Sequence, residues 1–112
     1  MNRTIWKWTD AYKVEIFIGG NYLDALYICQ EYCDKVGLCV TVDPTDFVYS
    51  GGSCVGVRIG LINYARFPSK RDIIWDKAEA LAELLKEELD QGSYTVQDPI
   101  RSMFVSTRDE DQ

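Results

Sequence analysis

Hydrophobic and polar residues alternate cleanly over residues 12–18. Tyr12, Val14, Ile16 and Ile18 face one way, and Lys13, Glu15 and Phe17 the other, the period of a half-buried strand. Gly19-Gly20 ends it. Asn21 then stands as a helix cap, and Tyr22, Ala25, Leu26, Cys29, Cys33 and Val36 share one face of a helix that Gly37 stops. The short run Leu38–Val42 is closed by Asp43-Pro44, Phe47-Val48-Tyr49 resumes the extended pattern, and Gly51-Gly52 marks a hairpin. The returning strand, Cys54–Ile62, carries Val55, Val57, Ile59 and Leu61 on one face. Gly56, Arg58 and Gly60 leave its other face thinly covered. Ser69 is predicted to cap a second helix with Asp72 as its box partner. Ile74, Ala78, Leu81, Ala82, Leu85 and Leu89 form an apolar stripe along it, anchored by Trp75 and Phe67, and Gly92 terminates it. Ser93–Gln97 reads as a strand, and Met103–Val105 is available as an extra C-terminal edge.

The order strand, helix, strand, strand, helix, strand predicts an α+β domain of the ferredoxin-like βαββαβ type, a four-stranded antiparallel sheet with two helices on one face. At 112 residues the chain is read as a single domain, 1–112, with a less ordered N-terminal arm (1–10) and polar tail (106–112).

Composition narrows the chemistry. The chain has no histidine, so the commonest general base and metal ligand is missing. Cys29 and Cys33 lie one turn apart on the predicted core face, where a free thiol packs as a small hydrophobe. The four cysteines match no zinc spacing, so no metal or cofactor is expected. No stretch reaches the ~18 apolar residues of a membrane span, and the N-terminus has no apolar run behind its basic residues. Free thiols and a cytoplasmic setting follow as expectations. Direct nucleic-acid binding is not expected either: the net charge is −6, and Gly56-Val57-Arg58-Ile59-Gly60-Leu61 offers no aromatic platform. Asp43 and Asp46 flank Pro44-Thr45 as turn formers; a cleft gathering them with Arg58 would instead favour a histidine-free enzyme.

The charge is unevenly spread. Residues 1–69 hold seven acids and six bases, and residues 70–112 hold eleven acids and six bases. On the second helix Asp72, Asp76, Glu79, Glu83, Glu87 and Asp90 fall within about 80° of arc, opposite the apolar stripe. One acid per turn, about 5.4 Å apart, is too sparse to imitate duplex DNA at roughly one charge per 1.7 Å. The ridge suits a basic protein surface. A second candidate interface is apolar: Trp6 and Trp8 share one side of an extended arm, and Tyr27 points away from the core face of the first helix.

The stretch Tyr49–Ser69, Tyr-Ser-Gly-Gly…Val-Gly-Val-Arg-Ile-Gly-Leu-Ile-Asn-Tyr-Ala-Arg-Phe-Pro-Ser, resembles small bacteriophage-encoded proteins. That resemblance implies a context, since such proteins often bind and redirect host proteins or assist virion assembly. Together these readings predict a non-enzymatic interaction module acting through the acidic ridge on a host protein, for instance a nucleic-acid-binding or defence enzyme it inhibits. A homo-oligomeric (for example dimeric) structural or assembly protein using Trp6, Trp8 and Tyr27 is the alternative.

Overall fold

A computed structural model describes residues 2–112; Met1, the first residue of the predicted arm, lies outside them. The elements run β1 (Lys13–Gly19), α1 (Tyr22–Val36), β2 (Thr41–Tyr49), β3 (Gly52–Ile62), α2 (Arg71–Glu88), β4 (Ser93–Gln97) and β5 (Ser102–Ser106), followed by a 3₁₀ turn over Asp109–Asp111. The strands form one antiparallel sheet of order β2-β3-β1-β4-β5. The protein is thus α+β with five strands rather than four, because Ser102–Ser106 pairs along the whole of β4.

Alternation in β1 places Val14, Ile16 and Ile18 in the core. Val57, Ile59 and Leu61 of β3 and Val96 of β4 join them on the same face. The α2 stripe closes over that layer, with Ile74, Trp75, Ala78, Leu81, Ala82 and Leu85 all buried. α2 covers β1 and β4, and α1 covers β2 and β3.

The helix predictions need several corrections. On α1 the buried residues are Ala25 and Cys29, while Leu26 and Val36 are exposed and Ile28 and Tyr32 turn inward. The reason is tertiary: α1 leans on α2 as well as on the sheet, and the Tyr32 hydroxyl donates to the Lys77 carbonyl at 3.3 Å. Ser69 does not cap α2. Lys70 holds that position without a side-chain bond, because Asn63 Oδ1 accepts from the Ser69 backbone N–H and draws the segment toward β3. The turn that ends α2 centres on Asp90, left-handed at φ 53, not on Gly92. Phe67 is half exposed and stacks beside Tyr64 instead of anchoring the core.

The strand predictions change too. β2 runs unbroken through Asp43-Pro44, because it is an edge strand and proline needs no partner on the open side. Asp43 and Asp46 are therefore strand residues, not turn formers, and they point to opposite faces: Asp43 lies opposite Arg58 and Asp46 opposite Val55. The three do not gather in one cleft. The hairpin turns at Ser50-Gly51, where Gly51 takes φ 90. Gly56 and Gly60 are not bare. The Phe47 ring and the Thr41 side chain cross over from β2 and fill the space a Cβ would occupy.

Candidate functional site

A concavity lies between the outer faces of α1 and α2. It is a groove of about 450 Å³ lined by Tyr27, Ile28, Glu31, Tyr32, Lys35, Val36, Ala80, Leu84 and Glu88. Its origin is in the sequence of α1: Tyr27, Glu31 and Lys35 follow one another at i, i+4 and i+8, so their side chains stack along the rim. Ala80 is small, which leaves room opposite Tyr27 and Tyr32, and Leu84 and Ile28 supply an apolar floor. Hydrogen bonding to Glu31 and its negative charge raise the Tyr27 phenol above its ordinary value, and burial does the same to Tyr32. Both hydroxyls stay protonated at neutral pH. The groove thus joins two aromatic faces, two carboxylates and one ammonium around apolar walls, the composition of a small-molecule site.

Of the residues singled out in the sequence, Tyr27 lies in this groove. Glu31, Tyr32, Lys35 and Glu88 were missed. The Tyr27-Glu31-Lys35 spacing was available, but a mixed polar stripe on one helix acquires meaning only once the second helix is beside it.

The acidic ridge of α2 is divided by the fold. Asp76, Glu79 and Glu83 border a shallow hollow with Ala80 and Tyr94. Glu79 accepts from the indole N–H of buried Trp75, and Glu83 accepts from the hydroxyl of buried Tyr94. Two of the six acids are therefore tied to core aromatics. Asp72 borders a different hollow, with Tyr12, Arg71, Asp98 and Arg101. Asp90 lies beyond the last helical residue and does not belong to the ridge. Glu87 stays exposed on α2. Trp6 and Trp8 remain 75% and 88% exposed on the extended arm, whose root is held where the Asn63 amide donates to Thr9 Oγ1 and the Asp10 carbonyl.

On the face of the sheet away from the helices, Glu15 sits between Lys13 and Arg58, with N···O separations of 3.6 and 3.7 Å. Among the described residues no group of three or more cysteine or carboxylate side chains is placed to hold a metal ion. The cysteines are free: Cys29 is buried, Cys33 half-buried, and Cys39 and Cys54 exposed. No described helix is long and apolar enough to cross a membrane.

An α+β sheet of five antiparallel strands carrying a polar-rimmed groove between its two helices defines the class of protein. No protein-family profile matches the chain, and no curated protein sequence matches it. Solved structures do share its fold. A phage SAM lyase in complex with S-methyl-5'-thioadenosine is 15% identical, covers 95% of this chain and 97% of its own, and superposes with a TM-score of 0.67. A phage SAM lyase in the apo state is 16% identical over 87% of this chain and 90% of its own, with a TM-score of 0.63. The phage resemblance of residues 49–69 has its counterpart here, since both neighbours are phage proteins.

The same neighbours overturn the prediction of a non-enzymatic module that inhibits a host factor, because what shares the fold end to end is an enzyme. The prediction rests on the acidic ridge together with missing catalytic and RNA-binding residues, with a histidine-free enzyme as a further alternative.

Proposed function

We propose that this protein is a lyase acting on SAM, built on a ferredoxin-like βαββαβ unit extended by β5 and working in the host cytoplasm. The observation that carries the proposal is the likeness, over nearly the whole of both chains, to a phage SAM lyase that holds S-methyl-5'-thioadenosine. The α1–α2 groove supports it by its chemistry.

S-methyl-5'-thioadenosine is SAM without its aminocarboxypropyl arm. The bond whose cleavage relates them joins the sulfonium sulfur to the γ-carbon of that arm. The bonding pair leaves with sulfur, which departs as a neutral thioether and needs no general acid. The γ-carbon regains its electrons either from the substrate's own carboxylate, closing a ring, or from a neighbouring C–H bond whose proton passes to a base. Positive charge is lost along either path, so apolar walls such as Ile28, Val36 and Leu84 favour the transition state over the charged substrate. Tyr27 and Tyr32 offer faces for the adenine, Lys35 a partner for the substrate carboxylate, and Glu31 and Glu88 a negative lining for the sulfonium and ammonium.

The test is to incubate purified protein with SAM and follow S-methyl-5'-thioadenosine by liquid chromatography. Release of that product is expected, falling at least tenfold in Tyr27→Ala, Glu31→Gln and Lys35→Ala. Absence of both turnover and calorimetric SAM binding would overturn the function. Full activity in all three variants would move the site out of the groove.

A further inference from the structure

Two arginines border a hollow at the end of the sheet opposite the Ser50-Gly51 turn. The hollow, of about 270 Å³, is lined by Tyr12, Arg71, Asp72, Asp98, Ile100 and Arg101. Three elements meet there: the residue before β1, the first turn of α2, and the turn between β4 and β5. Each guanidinium sits on the face of a buried ring. Arg71 Cζ lies 5.2 Å from the centre of the Tyr12 ring, and Arg101 Cζ lies 3.9 Å from the centre of the Trp75 ring. Tyr12 and Trp75 are core residues, so the rings are fixed platforms. Stacking orients a planar guanidinium and leaves the N–H groups on its rim free to donate. Among the described residues Arg71 has no ion-pair partner, and Arg101 reaches Asp98 only at an N···O separation of 3.8 Å.

The two carboxylates of the lining differ. The Asp98 side chain is 7% exposed and its oxygens are engaged, Oδ2 by the Tyr12 hydroxyl and Oδ1 by the backbone N–H groups of Ile100 and Arg101, all at 2.8 Å. It adds negative charge to the lining without an oxygen to spare. Asp72 is exposed, and only its Oδ1 is engaged, by the Ile73 N–H at 3.0 Å. This pattern selects a class of ligand. Two oriented guanidiniums match the flat fork of a carboxylate. A phosphate dianion would meet the same donors and also the charges of Asp72 and Asp98, in a lining whose two arginines and two aspartates sum to zero. A zwitterion satisfies both signs. Ile100, 80% exposed, offers apolar surface beside the charges.

We propose that this hollow binds a free α-amino acid with an apolar side chain. Arg71 and Arg101 hold its carboxylate, the open oxygen of Asp72 accepts from its ammonium, and its side chain rests on Ile100. The hollow shares no lining residue with the α1–α2 groove, so the site stands apart from the proposed lyase activity.

Titration of the nitrogen-15-labelled protein with L-leucine, followed by NMR, tests it. Millimolar L-leucine should shift the backbone N–H resonances of Asp72, Ile100 and Arg101. N-acetyl-L-leucine lacks the ammonium and L-leucinamide lacks the carboxylate, and each should bind at least tenfold more weakly. Arg71→Gln and Arg101→Gln should each lower the affinity for L-leucine at least fivefold. Asp72→Asn should abolish the preference for L-leucine over N-acetyl-L-leucine, a change that mere loss of structure does not produce. If an arginine variant fails to fold, the three ligands compared on the wild-type protein decide the matter. L-Leucine that leaves these resonances unmoved at tens of millimolar overturns the proposal. So does N-acetyl-L-leucine binding as tightly as L-leucine, or inorganic phosphate shifting the same resonances at lower concentration.

Discussion

The Tyr94 hydroxyl, carried on β4, donates to the Glu83 carboxylate of α2 at 2.9 Å. The bond crosses from sheet to helix and gives the polar end of a buried aromatic its partner. Burial, this hydrogen bond and the negative charges of Glu83 and Glu79 all push the Tyr94 phenol well above its ordinary value. Glu83→Ala should therefore destabilise the protein by about 1–3 kcal/mol, the cost of leaving a buried hydroxyl without a partner. Glu87→Ala, on the same helix and exposed, should change stability by less than about 0.5 kcal/mol. Urea unfolding of the two variants reads the difference.

Tyr12 titrates with the fold. Burial, its bond to Asp98 and the Asp98 charge push its phenol up to about 12. A tyrosine whose folded pKa exceeds its unfolded one contributes stability that is complete below pH 10 and is lost as pH rises toward 12. Absorbance at alkaline pH should show fewer than seven tyrosines ionising by about pH 11 in the native protein. All seven should ionise near pH 10 in denaturant.

Asp98 gives the opposite dependence. Burial works against its charge. The backbone N–H groups of Arg101 and Ile100, the Tyr12 hydroxyl and the Arg101 guanidinium outweigh that and hold its carboxyl below the usual range. Its contribution is present above the unfolded pKa, near 4, and is lost as pH falls through the lower folded value. Asp98→Asn should flatten the decline in unfolding midpoint below about pH 4, measured as a thermal midpoint against pH.

Gly56 and Gly60 look alike in sequence and differ in what surrounds them. A Cβ at Gly56 would collide with both the Ile18 carbonyl oxygen and the Phe47 ring, and the backbone atom cannot move aside. A Cβ at Gly60 would meet the Thr41 hydroxyl, at the end of a side chain that rotates. Gly56→Ala should cost about 1–3 kcal/mol and Gly60→Ala clearly less. Chemical denaturation of both variants checks the order.

The thiols should separate by burial. Burial, with the charge of Cys33, pushes Cys29 up to about 12, and Cys39 and Cys54 are exposed. An aromatic disulfide reagent should label two thiols quickly, Cys33 slowly and Cys29 only on unfolding. Rapid labelling of Cys29 would contradict its place in the core.

Much of the fold was legible because local periodicity decides which face of an element is apolar. Val14, Ile16 and Ile18 on β1, and Ile74, Ala78 and Leu81 on α2, are buried as their spacing required. The caps and edges were less legible. Ser69 had the chemistry of a cap, but Asn63, six residues earlier, took its backbone N–H. Asp43-Pro44 had the chemistry of a turn and became part of β2 because that strand lies at the sheet edge.

By itself the sequence determined the class of fold, the core stripes and the lack of histidine, since each depends on residue identity and short-range spacing. Tertiary structure decided the rest. It divided the acidic ridge by setting Glu79 and Glu83 against Trp75 and Tyr94, and it formed the groove by placing Ala80 and Leu84 across from Tyr27, Glu31 and Lys35. A site made of two helices has no signature on either one, because its residues become neighbours only when the sheet beneath holds the helices side by side.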